Sequence, residues 1–505
     1  MVIGTTNQSW GEGANISGLQ YGYGQVGTVV TSPGPTIIAK RTVAFKVNWH
    51  NHLGIKPHLL SLNVVPSLLD DTESACYNQE DTKCGVPVVV HVHGLENPPE
   101  FDGLPHATVF NNQTFTTIYR NSQQPSFKIY HDHALGLSRL NKWAGLVGAY
   151  IVQDPEIDAA FNLTDLPDYV LAIQDKLISS NGALLYPDEA ACVSKKWLPE
   201  SYGNVNTVNG VVMPFLQVEA RQVRFRWANV ANARVYSFDL TAFGDQCLVI
   251  ATDGGYVHKP KPIPLTHGGQ RLLQLYPLER VEMVCDFTST PVGSVFNISN
   301  THAIESSYPY DPRVLQIQIK ATSTTTKNII PQTLTEYKDL GDLFHQTNGL
   351  VRRIKLGQMN DPKECPTHFY MKQFGQELNI STIRHTMHCT LGKVEQWIFT
   401  NPSHTSHPFH WHLVNAQCGP TEDSIDANSL KDVVEIPSNA HGHPTQVCYV
   451  ACMPNEALVK GSHRDPTDFG TEVTKDPYLA HCHIIEHQEN AMMAWFRITR
   501  TDVVH

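Results

Sequence analysis

Charge is scarce in this chain. Asp, Glu, Lys and Arg together make up 17% of its 505 residues, the net charge is −11, and no run of Lys and Arg occurs. That balance argues against a nucleic-acid partner or an anionic membrane surface. Long apolar runs are missing as well. No stretch of 18 or more apolar residues exists, so no segment is expected to span a membrane. The 11 cysteines include no Cys-X-X-Cys pair, which argues for a few disulfides over zinc sites. Cys76 and Cys84 flank a polar loop that a bridge between them could close. Nine methionines are scattered along the chain, and the start Met1-Val2-Ile3-Gly4 has neither the basic region nor the apolar core of a signal peptide. A mature or trimmed form of a secreted glycoprotein is therefore expected, in keeping with sequons at Asn7, Asn15, Asn112, Asn162, Asn297 and Asn379.

Histidine is the residue in excess, at 26. Chance alone would give roughly one His-X-His pair in such a composition. Six occur, beginning at His50, His91, His131, His410, His441 and His481. His50/His52 ends a strand-like run and His441/His443 sits in a Gly/Pro loop, so both are read as ordinary polar residues. The other four pairs carry context. His91-Val92-His93-Gly94 and His131-Asp132-His133 each follow a strand-like run, so both rings of a pair leave the same strand face. His407 precedes His410-Trp411-His412. In His481-Cys482-His483 the cysteine faces away from its flanking histidines, so one peptide can join two metal sites. His487 and Met492 follow at steps of five, and cysteine, histidine and a weak methionine make the ligand set of a blue-copper site. Imidazole clusters without carboxylates favour copper over magnesium or calcium.

Short alternating runs, such as Val43 to Trp49, Val223 to Trp227 and Arg280 to Phe287, are broken by Gly, Pro and Asn turns. The fold class is all-β, of the Greek-key sandwich or barrel type. A strand should end near Asp154-Pro155, and Ala321 to Lys327 reads as a polar linker, which divides the chain into domains near 1–155, 156–325 and 326–505. The histidine pairs of interest fall in 91–133 and 407–492. The first and last domains must therefore meet, with the middle one a metal-free spacer.

The motifs HVHG, HDH, HPFHWH and HCHIIEHQENAM, in that order, resemble the three-domain multicopper oxidases, the laccase-like cupredoxin family. YHDHALGLSRLNKWAGLVGAYIVQDP, and Leu413-Val414 after His412, are similar to the branch of spore-coat laccases, bilirubin oxidases and phenoxazinone synthase. The resemblance implies three cupredoxin-like Greek-key β-barrels and four copper ions. By motif position His407, Cys482, His487 and axial Met492 would hold type 1 copper. His91 and His410 would hold type 2, and His93, His131, His133, His412, His481 and His483 the type 3 pair. It further implies one-electron oxidation of phenolic or aminophenolic donors, coupled to reduction of O2 to water by a monomer. Asp102, in Phe101-Asp102-Gly103, matches the family's proton-carrying carboxylate. The carboxylate usual after the last histidine is replaced by Gln488, with Glu489 or Glu486 as substitutes. Thr405 stands where fungal-type bilirubin oxidases carry tryptophan, which lowers bilirubin as donor. A metallo-oxidase acting on Fe(II) or Mn(II) would want a carboxylate cluster, for which Glu422-Asp423 and Asp426 are the candidates. A non-catalytic copper-binding protein is the remaining alternative. The chain departs from the branch at its start, where it should begin near Pro33-Gly34-Pro35-Thr36 without a leading strand.

Overall fold

The computed structural model describes residues 1–11, 16–69, 84–188, 198–302, 308–322, 327–361, 364–381, 386–442, 445–469 and 473–503. Cys76, Asn15, His443 and residues 323–326 of the expected linker lie outside them.

Three β-sandwiches follow one another along the chain. In the first, the sheet Ser17–Gly24, Val2–Ser9, Phe45–Asn51, Thr114–Tyr119 faces the sheet Gly34–Lys40, Val147–Gln153, Ser126–Asp132, Val90–His93. Trp49, Tyr23, Tyr119 and Tyr130 fill the space between. The second sets a sheet centred on Asp168–Ile178, Gln222–Asn229 and Arg280–Asp286 against Phe215–Ala220, Arg313–Thr322 and Val295–Ser299, around Phe225, Trp227 and Phe238. The third sets a six-stranded sheet that includes Val351–Asp361 and Val394–Thr400 against Met387–Thr390, Met493–Thr499, Tyr478–Cys482, His407–Trp411 and Val433–Ile436. Its core holds Trp397, Phe399, Phe409 and Trp411, with Cys482 and Met492 among them.

Each sandwich closes by pairing an early strand in parallel with a late one: Gly34–Lys40 with Val147–Gln153, Phe215–Ala220 with Arg313–Thr322, and Met387–Thr390 with Met493–Thr499. A leading strand is present, contrary to the sequence reading. Val2–Ser9 and Ser17–Gly24 form an antiparallel hairpin ahead of the Pro-Gly-Pro-Thr turn, and Val2 and Ile3 pair in parallel with His50 and Asn51. Four glycines, Gly4, Gly18, Gly22 and Gly24, and the polar run Thr5 to Gln8 hide the two-residue alternation. Ile3, Tyr21 and Tyr23 are the only large apolar side chains buried there.

After Gln153 a helix starts at once, Pro155–Ala160, with the Asp154 carboxylate accepting from the Glu156 and Ile157 amides. Ala321 and Thr322 of the expected linker complete a strand. Disulfides join Cys247 to Cys285, Cys389 to Cys452 and Cys418 to Cys448. Cys84 is also disulfide-bonded, and Cys482 is the one free thiol among the described residues. The three sandwiches meet where Phe127, Ile129 and Val147 of the first pack on Ala228, Val230 and Leu278 of the second and Val433 of the third.

Candidate metal centre

Strand pairing assembles the histidines. His91 lies opposite His131, and His410 opposite His481. Phe409 lies opposite Cys482, so strand alternation turns the thiol into the apolar core while its neighbours face the seam. His93 stacks on His410 at 3.7 Å and His91 on His412 at 4.0 Å between ring centres. The first and last thirds thus interleave their rings. Donor atoms converge to within 4.8 Å in His91–His93–His131, His91–His410–His412 and His133–His412–His481, and His483 lies 5.0 Å from His93 between ring centres.

Which nitrogen is free follows from what the other one touches. Nδ1 of His91 donates to the Asp102 carbonyl (2.5 Å), of His131 to the Asp132 carbonyl (2.8 Å) and of His410 to the Asp432 carbonyl (2.7 Å). The Nε2 atoms of these three rings are buried without a partner, as are Nδ1 of His93 and both nitrogens of His133 and His483. A set of buried, unpaired ring nitrogens aimed at one another is a lone-pair cage, and it fits metal ions. Burial holds His93, His131, His133, His410, His412 and His483 well below the ordinary imidazole range and His481 at about 3. Neutral imidazole, the ligand form, is thus their resting state.

A second cluster lies on the other side of the His481-Cys482-His483 peptide. Cys482 Sγ is 3.7 Å from Nδ1 of both His407 and His487, and those two nitrogens are 3.2 Å apart. Met492 is fully buried and tied in by its backbone, its carbonyl accepting from the Cys482 amide and its amide donating to the His487 carbonyl. The Phe369 ring stacks on His487 at 4.0 Å. Burial pushes the Cys482 thiol up and the His407 imidazole down, so a cation is what would hold the sulfur as thiolate.

Asp102 reaches the first cluster. Its Oδ2 accepts from His412 Nδ1 (2.6 Å) and its Oδ1 lies 3.5 Å from His91 Nδ1. Burial raises its carboxyl. Glu489 is engaged otherwise. It accepts from the Arg139 amide (2.9 Å) and lies 3.1 Å from Arg139 Nε, while burial pushes it up to about 8. Glu486 accepts from Tyr186 (2.7 Å) and Asn232 (3.1 Å). Of the residues set aside, His50 meets Thr114 at the surface and His52 is exposed.

Several residues of the site carry no signal in the sequence. A Glu200 oxygen lies 3.4 Å from His487 Nε2, the nitrogen turned away from Cys482. Glu200 lines a cavity of about 240 Å³ with Tyr276, His302, His404, Thr405 and Ile484. Asp432 places a carboxylate oxygen 3.1 Å from His93 Nε2. Each is a lone residue in an unremarkable stretch, brought in by pairing across domains. The Glu422 loop considered as a carboxylate cluster is elsewhere. Glu422 accepts from Gln396 (2.6 Å), and none of its acids lines this cavity.

Two family models described as multicopper oxidase match residues 81–157 and 352–443. Multicopper oxidase LPR1 of Arabidopsis thaliana is 30% identical over 94% of this chain and 84% of its own. A laccase of Bacillus subtilis is 29% identical over 92% and 88%. Among solved structures, the 2F4 variant of McoA multicopper oxidase from Aquifex aeolicus superposes with a TM-score of 0.72 at 22% identity, covering 99% of this chain and 96% of that one. The expected all-β, cupredoxin-like architecture is the one observed.

Proposed function

The chain belongs to the multicopper oxidase family, and from that premise we propose a laccase-like oxidase that takes single electrons from phenolic or aminophenolic donors and reduces O2 to water. The observation that carries this reading is the covalent bridge His481-Cys482-His483. Its thiol sits with His407 and His487, and its two histidines sit in a cage of unpaired imidazoles.

The residues fit copper. His407, Cys482, His487 and Met492 would hold a type 1 ion, His91 and His410 a type 2 ion, and His93, His131, His133, His412, His481 and His483 a type 3 pair, four in all. Bound there, copper supplies one-electron transfer at one end and O2 reduction at the other. The rest falls to the chain's own groups. Glu200 orients a donor hydroxyl or amine at the outer edge of the His487 ring. The cavity, at about 240 Å³, admits one substituted ring and is small for a tetrapyrrole, which supports aromatic donors over bilirubin. Asp102, whose Oδ2 accepts from His412 Nδ1, can take up and release a proton beside the imidazole cage. Domains at 1–155, 156–325 and 326–505 are supported by the three parallel closures. The disulfides support an oxidising, extracellular setting, and no helix among the described residues is long and apolar enough to cross a membrane.

One observation favours a second reading. Glu200, His302 and His404 line the same cavity, and a carboxylate with two imidazoles suits a divalent metal donor.

The test is Cys482→Ser in the copper-loaded protein, with O2 uptake followed on phenols, bilirubin and Fe(II). Blue absorption and turnover should both vanish. Undiminished turnover would sink the assignment. Adding Glu200→Gln separates the donor readings: about tenfold or less lost on phenols supports aromatic donors, whereas a selective loss on Fe(II) of about 100-fold supports the metal.

A further inference from the structure

We infer that Asp432 is a positioning residue for the imidazole cage and that Arg280 holds it there, so the third of the chain without metal ligands sets how firmly the cage keeps its metal. The inference rests on the copper assignment above and adds a role for the middle domain that the assignment does not contain.

Asp432 directly precedes the strand Val433–Ile436, whose first residue pairs with His410. Its carbonyl accepts from His410 Nδ1 at 2.7 Å, and its carboxylate Oδ1 lies 3.1 Å from His93 Nε2. One residue therefore fixes the tautomer of a histidine from each end of the chain. The nitrogens left over, His93 Nδ1 and His410 Nε2, are buried and unpaired on stacked rings. Those are the atoms available to a metal. Partners that fix a ligand's other nitrogen typically change metal affinity or activity 10- to 100-fold when removed.

Asp432 is itself fixed from the middle domain. Arg280 donates from Nη1 to Oδ1 and from Nη2 to Oδ2, both at 2.6 Å, a two-pronged pair. Arg280 cannot swing away, because Nη1 also donates to the Leu278 carbonyl, Nε to the Phe127 carbonyl and Nη2 to the Asp253 carbonyl. Lys128 Nζ adds a contact to Oδ2 at 3.4 Å. All three side chains are sealed from solvent. The glycine of His91-Val92-His93-Gly94 belongs to this arrangement. A Cβ on Gly94 would fall on Asp432 Oδ2 and come within 2.9 Å of Arg280 Nη2 and Lys128 Nζ. Charges buried this deeply give little net stability over apolar packing. What this pair supplies is orientation.

The experiment compares wild type, Asp432→Asn, Arg280→Met and Arg280→Lys as full-length, copper-loaded proteins dialysed against EDTA. Copper per chain, the type 2 paramagnetic resonance signal and the blue absorption are followed together. The blue site lies within the last sandwich and reports whether that sandwich is intact. Asp432→Asn and Arg280→Met should shed non-blue copper about 10- to 100-fold faster than wild type, with altered type 2 hyperfine splitting and unchanged blue absorption. Arg280→Lys, which keeps the charge but not the fork, should fall between. Two results overturn the inference. One is non-blue copper retained at the wild-type rate. The other is blue and non-blue copper lost together, including in Arg280→Lys, as a purely architectural knot would give. A wild-type protein that binds no copper outside the blue site would instead defeat the copper assignment, before any variant is compared.

Discussion

A single imidazole can differ from its neighbours only through what surrounds it, and His58 shows the rule away from the metal centre. It is buried, with Nε2 against Asn141 (3.1 Å) and Nδ1 accepting from the Leu60 amide (2.9 Å). Burial, with Asn141 opposing and Arg139 reinforcing, lowers it to about 3. The sign follows from linkage. Above the unfolded value of about 6.5, both states carry neutral histidine and pH has no effect through this group. As pH falls below that, the unfolded chain takes a proton that the native state refuses. Stability then drops by about 1.4 kcal/mol per pH unit until about pH 3. His58→Gln removes this liability along with two hydrogen bonds. Wild type should melt above His58→Gln at pH 7, with the gap closing by pH 5. A constant gap across that range, read by thermal unfolding, would refute the account.

Elements decide which residues can meet. The histidines were legible in the sequence because His-X-His on a strand is a local statement: both rings share a face, and a turn or partner strand need only follow. Asp102 was legible through its short Phe-Asp-Gly motif, and the structure shows what the glycine does. Gly103 has φ +77°, and a Cβ there would lie 2.8 Å from the His91 Cα and closer still to the Val90 carbonyl. The loop must lie flat against the Val90–His93 strand for Asp102 to reach His91 and His412. Gly103→Ala should lift that loop and cut O2 consumption at least tenfold while leaving the blue absorption intact. Equal activity in oxygen-electrode assays would show that the loop tolerates the displacement. Asp432, Glu200 and Arg280 were not legible. Arg280 and Asp432 are separated by 152 residues, and nothing near either marks it as one half of a pair. The first hairpin was missed for a different reason: half-polar, glycine-rich edge strands lack the pattern that reveals strands.

At the scale of the whole molecule, three sandwiches share two polar seams. Arg41 pairs with Asp154 at 3.0 Å and with Glu456 at 2.5 Å, and the Asn455 amide donates to Glu96 at 2.7 Å, which clasps the first third to the last. The middle third joins through Arg280. That the first and last thirds meet was readable from where histidine pairs cluster. The contribution of the middle domain was not, because it is made by charges rather than by ligands.

The burial of the ligands has a kinetic consequence. His93, His131, His133, His407, His410, His412, His481, Cys482, His483 and His487 are all at 0% exposure. An ion arriving at the finished protein therefore meets a closed door, and the rate of maturation belongs to the breathing of the seams rather than to diffusion. Reconstitution of metal-depleted protein should be slow and independent of copper concentration once copper is in excess. It should also speed up several-fold in sub-denaturing urea, which favours partial opening. Stopped-flow growth of the blue band that instead stays first order in copper at every concentration would mean the door is open.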